Sequence, residues 1–194
     1  MMTLGKLPKS LKLSDMEYPI CTDYRVALLI LQAFNDVNLK EHEKYEIMIR
    51  SLFEEPEKVF ELIKQNENAV KEVVEKCIWF LDCGKKWEQT AHQPKIMDWE
   101  QDEQMIFSAV NKVAGKETRE CEYIHWWTFV GYMSEIDEGV FSTVVHIRKK
   151  RAKGKQLDKT EAQFYNEHRE LIDLKTKYTE EEQKEIEEMM KIFE

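Results

Sequence analysis

The chain has 194 residues, enough for one or two compact domains that each bury a hydrophobic core. Only 6 glycines and 4 prolines are present. Because turns between strands depend on these residues, their scarcity argues against a large sheet and favours helices. The formal net charge of −9 at pH 7 repels a phosphate backbone and argues against general nucleic-acid binding.

The cysteines and the apolar runs indicate the compartment. The four cysteines, at positions 21, 77, 83 and 121, are irregularly spaced and include no Cys-x-x-Cys pair. We therefore expect reduced thiols, without disulfide or bound metal. No apolar stretch of signal-peptide length opens the sequence, and the longest uncharged runs, 26–35 and 123–134, are too short to span a membrane. We expect a cytoplasmic protein with no membrane contact.

The predicted elements begin with a small β-hairpin over about residues 10–20, in which Ser14 and Asp15 supply the turn and Pro19 confines the return strand to an edge. Apolar side chains spaced three and four residues apart then predict four helices. The first starts after Thr22 or Asp23, and the second runs over about 40–53. The third starts at Pro56, and the fourth runs over about 70–81. Gly84 is expected to end the fourth.

Residues 85–97 lack periodicity and are predicted to connect an N-terminal half, 1–84, to a C-terminal half, 98–194. Asp98 is predicted to open a fifth helix, with a capping box completed by Gln101. Further helices are predicted over about 118–136, from Gly139, over about 158–175, and in an acidic C-terminal segment capped by Thr179 and Glu182. The predicted fold class is all-α, a multi-helix, bundle-like array with a small N-terminal β-hairpin.

Signatures of catalysis are missing, since the sequence has no phosphate-binding loop, Gly-x-Ser-x-Gly or His-Glu-x-x-His. Cys121 and His125 are four residues apart and would share a helix face, but a zinc site needs further ligands, and none has diagnostic spacing. Asp98, Asp102 and Glu103 could bind a cation, yet carboxylates are also favourable at the start of a helix. We predict no catalytic, cofactor or metal site.

An aromatic block is the most unusual local feature, because Tyr123, Trp126, Trp127 and Phe129 would cover more than one helix face. Such a helix is either central to the core or buried by a partner. Neighbouring residues point about 100° apart on a helix, so the two tryptophans are expected to differ in burial. Because Gly131 would leave room beside Trp127, we expect Trp127 to be the more buried, and Tyr123, Trp126 and Phe129 to be interface candidates.

A basic run provides a second candidate interface, at Arg148, Lys149, Lys150 and Arg151, and continues to Lys155. Nucleic acid is one partner that such a run fits, but no aromatic residue interleaves it for base stacking. The alternatives are a solvated helix end, where cations suit the helix dipole, or contact with an acidic segment. The Glu-rich end of the chain is such a segment, so the run could mediate self-association. We favour protein contact.

Three stretches resemble the bacteriophage gene-product-fifteen family of tailed phages and prophages of Gram-positive bacteria. Residues 17–25 are similar to the family's Y-P-I-x-T-D-[FY]-R, residues 98–102 read D-W-E-Q-D before an apolar helix, and residues 123–129 are like [YM]-[LI]-H-W-W-x-F. The motif positions, which we expect to be structural, are Tyr18, Pro19, Asp23, Arg25, Asp98, Asp102, His125 and Trp127.

The resemblance implies a role in tail morphogenesis. The family is encoded close to the tape-measure gene, the usual place of chaperones that bind the long helical tape-measure protein while tube subunits polymerise around it. It therefore implies a tail assembly chaperone or scaffold in the host cytoplasm, with the tape-measure protein and other tail proteins as partners and with no cofactor. The alternatives are a structural component retained in the virion tail and a nucleic-acid-binding regulator that uses residues 148–155. The acidic end after Leu174 departs from the family pattern.

Overall fold

The computed structural model describes residues 4–66, 68–85 and 94–192. It is 60 % helical, with ten helices and one small antiparallel sheet among those residues, which confirms the predicted all-α class. The sheet is the predicted hairpin, with β1 at Ser10–Leu13 paired to β2 at Met16–Pro19. Ser14 and Asp15 between the strands have φ of 44° and 68°. Left-handed backbone at both turn residues matches the twist of the strands, and short polar side chains tolerate it.

Four helices follow the hairpin, as predicted: α1 at Tyr24–Asn35, α2 at Glu41–Leu52, α3 at Pro56–Gln65 and α4 at Ala69–Leu81. Pro56 occupies the first turn of α3, where its missing N–H costs no helical hydrogen bond. α1 packs against α2, and α4 lies against β1. Val70, near the start of α4, is 44 % exposed.

The described residues of the C-terminal part form six α-helices: α5 at Glu103–Ala114, α6 at Trp126–Ser134, α7 at Val140–Ala152, α8 at Lys159–Glu167, α9 at Arg169–Ile172 and α10 at Glu180–Ile192. Gly115, with φ of 67°, ends α5 as a left-handed cap. The backbone N–H of Thr179 donates to Glu182 and that of Glu182 to Thr179, which confirms the predicted cap of α10.

The fifth predicted helix begins later than expected. The side chain of Asp98 accepts the backbone N–H groups of Glu100 and Gln101, each at 3.0 Å, and so holds a separate turn in front of α5. The backbone N–H of Asp98 in turn donates to Asp102, at 2.9 Å, and not to Gln101. The capping-box prediction therefore named the wrong acceptor. The carboxylate of Asp102, one residue after Gln101, takes the place that the side chain of Gln101 was expected to fill.

Two further helix predictions need correction. The predicted helix over 118–136 is shortened to α6, which begins only at Trp126. A short 3₁₀ turn at Thr118–Glu120 precedes it, and the backbone then extends to reach the start of α1. The helix predicted over 158–175 is divided at His168 into α8 and α9.

The main hydrophobic core contains side chains from both predicted halves, from Leu11 to Phe141. A small second cluster of Val144, Ile147 and Ile172 joins α7 to α9. The central part of the predicted connection, 86–93, lies outside the described residues. Among the described helices, none is long and apolar enough to cross a membrane.

Candidate protein-interaction surfaces

The first and third motifs meet where α1 and α6 begin. The backbone N–H of Tyr24 donates to the carbonyl of Ile124 at 2.9 Å, and that of Trp126 donates to the carbonyl of Thr22 at 2.8 Å. The hydroxyl groups of Thr22 and Tyr123 also share a hydrogen bond of 2.6 Å. Two extended segments thus pair just before their helices, which fixes the positions of both helix starts.

Each of these helices is capped by a motif side chain. Asp23 accepts the backbone N–H of Arg25 at 2.9 Å and that of Ile124 at 3.3 Å, so it caps α1 and ties it to the aromatic motif. In α6, Nδ1 of His125 accepts the N–H of Trp127 at 3.0 Å, and Nε2 lies 2.9 Å from the carbonyl of Pro8. This geometry assigns the proton to Nε2. Burial lowers the pKa of His125, which favours this neutral cap.

The remaining residues of the first motif also serve the fold. The guanidinium of Arg25 lies 3.1 Å from Asp23 and donates to the carbonyls of Arg119 and Cys121 at 3.0 and 2.6 Å. Tyr18 is buried edge-on against Phe53, with ring centroids 6.3 Å apart.

The two tryptophans differ in burial, but in the order opposite to the prediction. Trp126 is 3 % exposed, whereas Trp127 is only partly buried. Their indole N–H groups donate to the carbonyls of Leu81 and Phe80, each at 2.8 Å, so both anchor the end of α4. The expectation was wrong because Gly131 faces open space, so no neighbour packs there to bury Trp127. The ring of Trp127 lies instead against Gly84, where a Cβ would come within 2.9 Å of it.

The three aromatic residues predicted to form an interface also differ in burial. Phe129 is fully buried and stacks on Tyr24, with ring centroids 4.4 Å apart. The rings of Trp126 and Phe129 are also stacked, with centroids 6.1 Å apart. The structure therefore places Trp126 and Phe129 in the core, where they present no surface to a partner. Tyr123, 53 % exposed, remains at the surface.

Arg148 was expected in a basic surface but forms a buried ion pair with Asp102. Its terminal nitrogens lie 2.6 and 2.9 Å from the two carboxylate oxygens. The other N–H groups donate to the carbonyls of Ile96, Leu171 and Ile172 at 3.3, 2.9 and 2.6 Å. All five donors of the guanidinium are therefore satisfied inside the protein. The surface prediction for Arg148 was wrong because this side chain ties α7 to α5 and α9.

Asp98, the first residue of the predicted acidic cluster, is paired with cations of the same chain. Nζ of Lys95 lies 2.7 Å from Asp98, and Nζ of Lys177 lies 3.6 Å away. Burial raises the pKa of Asp98, but the hydrogen bonds from Lys95 and from the backbone N–H groups of Gln101 and Glu100 outweigh it and lower the pKa to about 2. These contacts give Asp98 and Asp102 structural partners.

The rest of the basic run is divided between internal pairs and surface. Lys150 pairs with Glu161 at 2.6 Å, and Arg151 pairs with Asp173 and lies 4.2 Å from the centroid of the Tyr165 ring. Lys149 is exposed and has no ion pair among the described residues. The run is therefore a weaker surface patch than its sequence suggests.

Cys121 and His125 do not share a helix face, since both precede α6. The thiol of Cys121 lies 3.5 Å from the carbonyl of Glu117. Within the described parts of the chain, no group of three or more potential metal ligands comes together.

An open groove, the α1 groove, lies between α1, the loop after it and a strap over 175–178. Its volume is about 870 Å³. Leu29, Val37 and Tyr178 line it with 52 %, 40 % and 43 % of their surface exposed. Clustered exposed apolar side chains of this kind mark binding surfaces more often than scattered ones. The sequence did not indicate this groove, because its walls come from segments far apart in the chain.

A second groove, the α5 groove, lies between α5 and the loop that joins α6 to α7. Its volume is about 690 Å³. Met105, Ala109 and Val113 form one apolar row on α5, and Ile136 and Val140 face it from the other side. The periodicity of α5 places these residues on a helix face, but periodicity alone does not tell whether a neighbour covers that face.

Comparison with known proteins identifies one family. The family model described as "Bacteriophage Gp15 protein" matches residues 4–179, which include all three motif stretches and end just before α10. No curated protein and no solved structure matches the chain.

Proposed function

The chain belongs to the bacteriophage Gp15 protein family and is therefore a phage structural or morphogenesis protein; within that class, we propose that it is a tail assembly chaperone or scaffold that binds the tape-measure protein. It acts on that protein in the host cytoplasm, before the tail tube encloses it. The finer role rests on the resemblance described above and on the surface of the molecule.

The observation that supports it best is the pair of open grooves with apolar walls. Leu29 and Val37 in one groove and Val140 in the other are each at least 40 % exposed. An amphipathic helix binds to such a groove by burying its apolar stripe. A tape-measure protein is long and helical, so it has many such stripes to protect until tube subunits cover them.

The size of the grooves also suits a transient contact. Complete burial of one large aliphatic side chain stabilises by about 1.5–3 kcal/mol. A few half-exposed side chains therefore provide only a modest part of the free energy that a tight complex needs, after the cost of association. A chaperone has to release its client when tube subunits arrive, and weak contacts repeated along a long client allow that release.

The proposal is for a binding protein and not an enzyme. The polar groups that sequence inspection singled out are engaged in the fold: His125 caps α6, Asp23 caps α1, and Asp102 pairs with Arg148. Polar groups in such contacts stabilise the fold that forms the walls of the grooves.

Co-purification tests the proposal. The full chain, carrying an affinity tag, is co-expressed with the tape-measure protein encoded in the same tail gene cluster. We expect the tape-measure protein to elute with the chain in a stable ratio, and a phage capsid protein expressed at the same level to be absent. Elution of the chain alone, at matched expression, would contradict the proposal.

Retention in the virion is the principal alternative. A structural tail component stays in the finished particle, whereas a chaperone leaves it. Quantitative mass spectrometry of purified particles separates the two. We expect the chain at far less than one copy per tail, and a fixed copy number per particle would support the structural alternative.

A further inference from the structure

The α5 groove combines an apolar floor with an acidic wall. The floor is the row of Met105, Ala109 and Val113, four residues apart and therefore aligned along α5. Val140, at the start of α7, is 53 % exposed beside this row. The wall is the loop that joins α6 to α7.

The acidic wall consists of Glu135, Asp137 and Glu138, all of which are exposed. No ion pair involves these three carboxylates among the described residues of the chain. The groove has one basic residue, Lys112, on the α5 side, and its ammonium donates to the backbone carbonyl of Glu138 at 3.3 Å. The charge of the groove is therefore negative and concentrated along one edge.

We propose that the α5 groove is a docking site for an amphipathic helix with Lys or Arg along one flank of its apolar stripe. The stripe covers Met105, Ala109, Val113 and Val140, and the basic flank lies beside Glu135, Asp137 and Glu138. The proposal rests on the proposed function, since it names the chemistry of the tape-measure segment that this chaperone receives.

The chain itself offers no suitable occupant among its described helices. α10 is amphipathic, but residues 180–188 contain six glutamates and one lysine, so the acidic wall would repel it in a second copy. The basic end of α7 has the right charge, but its apolar side chains Val144 and Ile147 are buried in the second cluster. A partner with both properties on one exposed helix is required.

Binding of designed peptides tests the site directly. Three fluorescent 18-residue helical peptides are titrated into the full chain: a leucine stripe with a lysine flank, the same stripe with a glutamate flank, and the lysine peptide with its leucines scattered around the helix. We expect the first to bind about tenfold or more tightly than either control, a difference of about 1.4 kcal/mol. If the scattered peptide binds as tightly as the first, charge alone explains the binding, and the proposal is overturned.

Charge-matched variants locate the binding. Glu135→Lys/Glu138→Lys changes the wall, and Glu181→Lys/Glu185→Lys makes the same change in net charge on α10. All four side chains are exposed, so both variants should keep the circular dichroism spectrum of the parent. We expect the wall variant to lower the affinity for the lysine peptide about tenfold, and the α10 variant to lower it less than threefold. Similar effects from both, or no effect from the wall variant, would overturn the proposal.

These measurements are independent of co-purification with the tape-measure protein. If that protein co-purifies and the wall variant binds the lysine peptide normally, the proposed function stands and the α5 groove is the wrong site. If the peptide binds as expected and the tape-measure protein does not co-purify, the groove is a docking site and the proposed client is wrong.

Discussion

Removal of the carboxylate charge from the buried ion pair should destabilise the whole C-terminal part of the fold. Asp102 is fully buried, and its side chain contacts both terminal nitrogens of Arg148 and the backbone N–H of Asp98. Asp102→Asn keeps the shape of the side chain but leaves the guanidinium charge without its counter-ion. The same guanidinium joins α7 to α5 and α9, so no local rearrangement exposes it to water without breaking those contacts.

The expected magnitude follows from the burial of both partners. Breaking a buried pair by removing one charge costs about 3–5 kcal/mol. For a domain of this size, each kcal/mol lowers the melting temperature by about 2–4 °C, so we expect a fall of roughly 6–20 °C. Arg148→Met should cost at least as much, because the carbonyls of Ile96, Leu171 and Ile172 lose their donor as well.

Thermal and urea unfolding, followed by circular dichroism, measures both variants against a matched control on the same helix. Arg151→Met removes a pair with Asp173 in which both side chains are more than 40 % exposed, so it should cost no more than about 1 kcal/mol. If Asp102→Asn falls within 1 kcal/mol of this control, the buried pair does not hold α5, α7 and α9 together as described.

Three further predictions concern the aromatic motif and the first groove. Trp126→Ala should lower the free energy of unfolding by about 3–5 kcal/mol in urea titrations, since it empties a core position; a change below 1 kcal/mol would place Trp126 outside the core. Burial lowers the pKa of His125 below 6.5, so its contribution to stability is present above that pH and is lost as the pH falls below it. The free energy of unfolding should therefore fall less between pH 7.5 and pH 5.5 for His125→Asn than for the parent. An equal fall in both proteins would contradict the neutral cap. Leu29→Glu should weaken co-purification of the tape-measure protein, whereas Val70→Glu, exposed to a similar degree outside both grooves, should not; equal effects would exclude the α1 groove.

Much of the fold was predictable because local rules and the final packing agree. The turn at Ser14 and Asp15, the cap at Asp23, the start of α3 at Pro56 and the end of α5 at Gly115 each depend on a residue whose backbone preference or side chain acts within a few positions. Such signals survive folding because no distant contact competes with them.

The aromatic motif was harder to predict because its structure depends on contacts about 100 residues away. Helical spacing suggested that Tyr123 and Ile124 belong to α6, but the hydrogen bond from Tyr24 to Ile124 keeps that segment extended. The order of burial of the tryptophans was missed for a similar reason, since both indoles contact the end of α4, 45 and 47 residues earlier in the chain. Periodicity reports one helix face at a time and does not identify the element that packs on it.

The basic run shows how charge in a sequence can mislead. Arg148 looks like its neighbours Lys149 and Lys150, yet it is buried and paired with a residue 46 positions earlier. The only indication was that Arg148 follows Val144 and Ile147 on the same apolar face of α7. A cation at a core position needs a buried acid, and Asp102 is one of three acidic residues in the motif D-W-E-Q-D.

As the tail assembly chaperone we propose, this chain would keep the tape-measure protein soluble before the tail tube covers it. The most direct test is the soluble fraction of the tape-measure protein, expressed at one fixed level with and without the chain, and measured by centrifugation and quantitative blotting. We expect the tape-measure protein to be mostly insoluble alone and mostly soluble with the parent chain, with an intermediate result for Glu135→Lys/Glu138→Lys. An unchanged soluble fraction in the presence of the parent chain would contradict the proposed function.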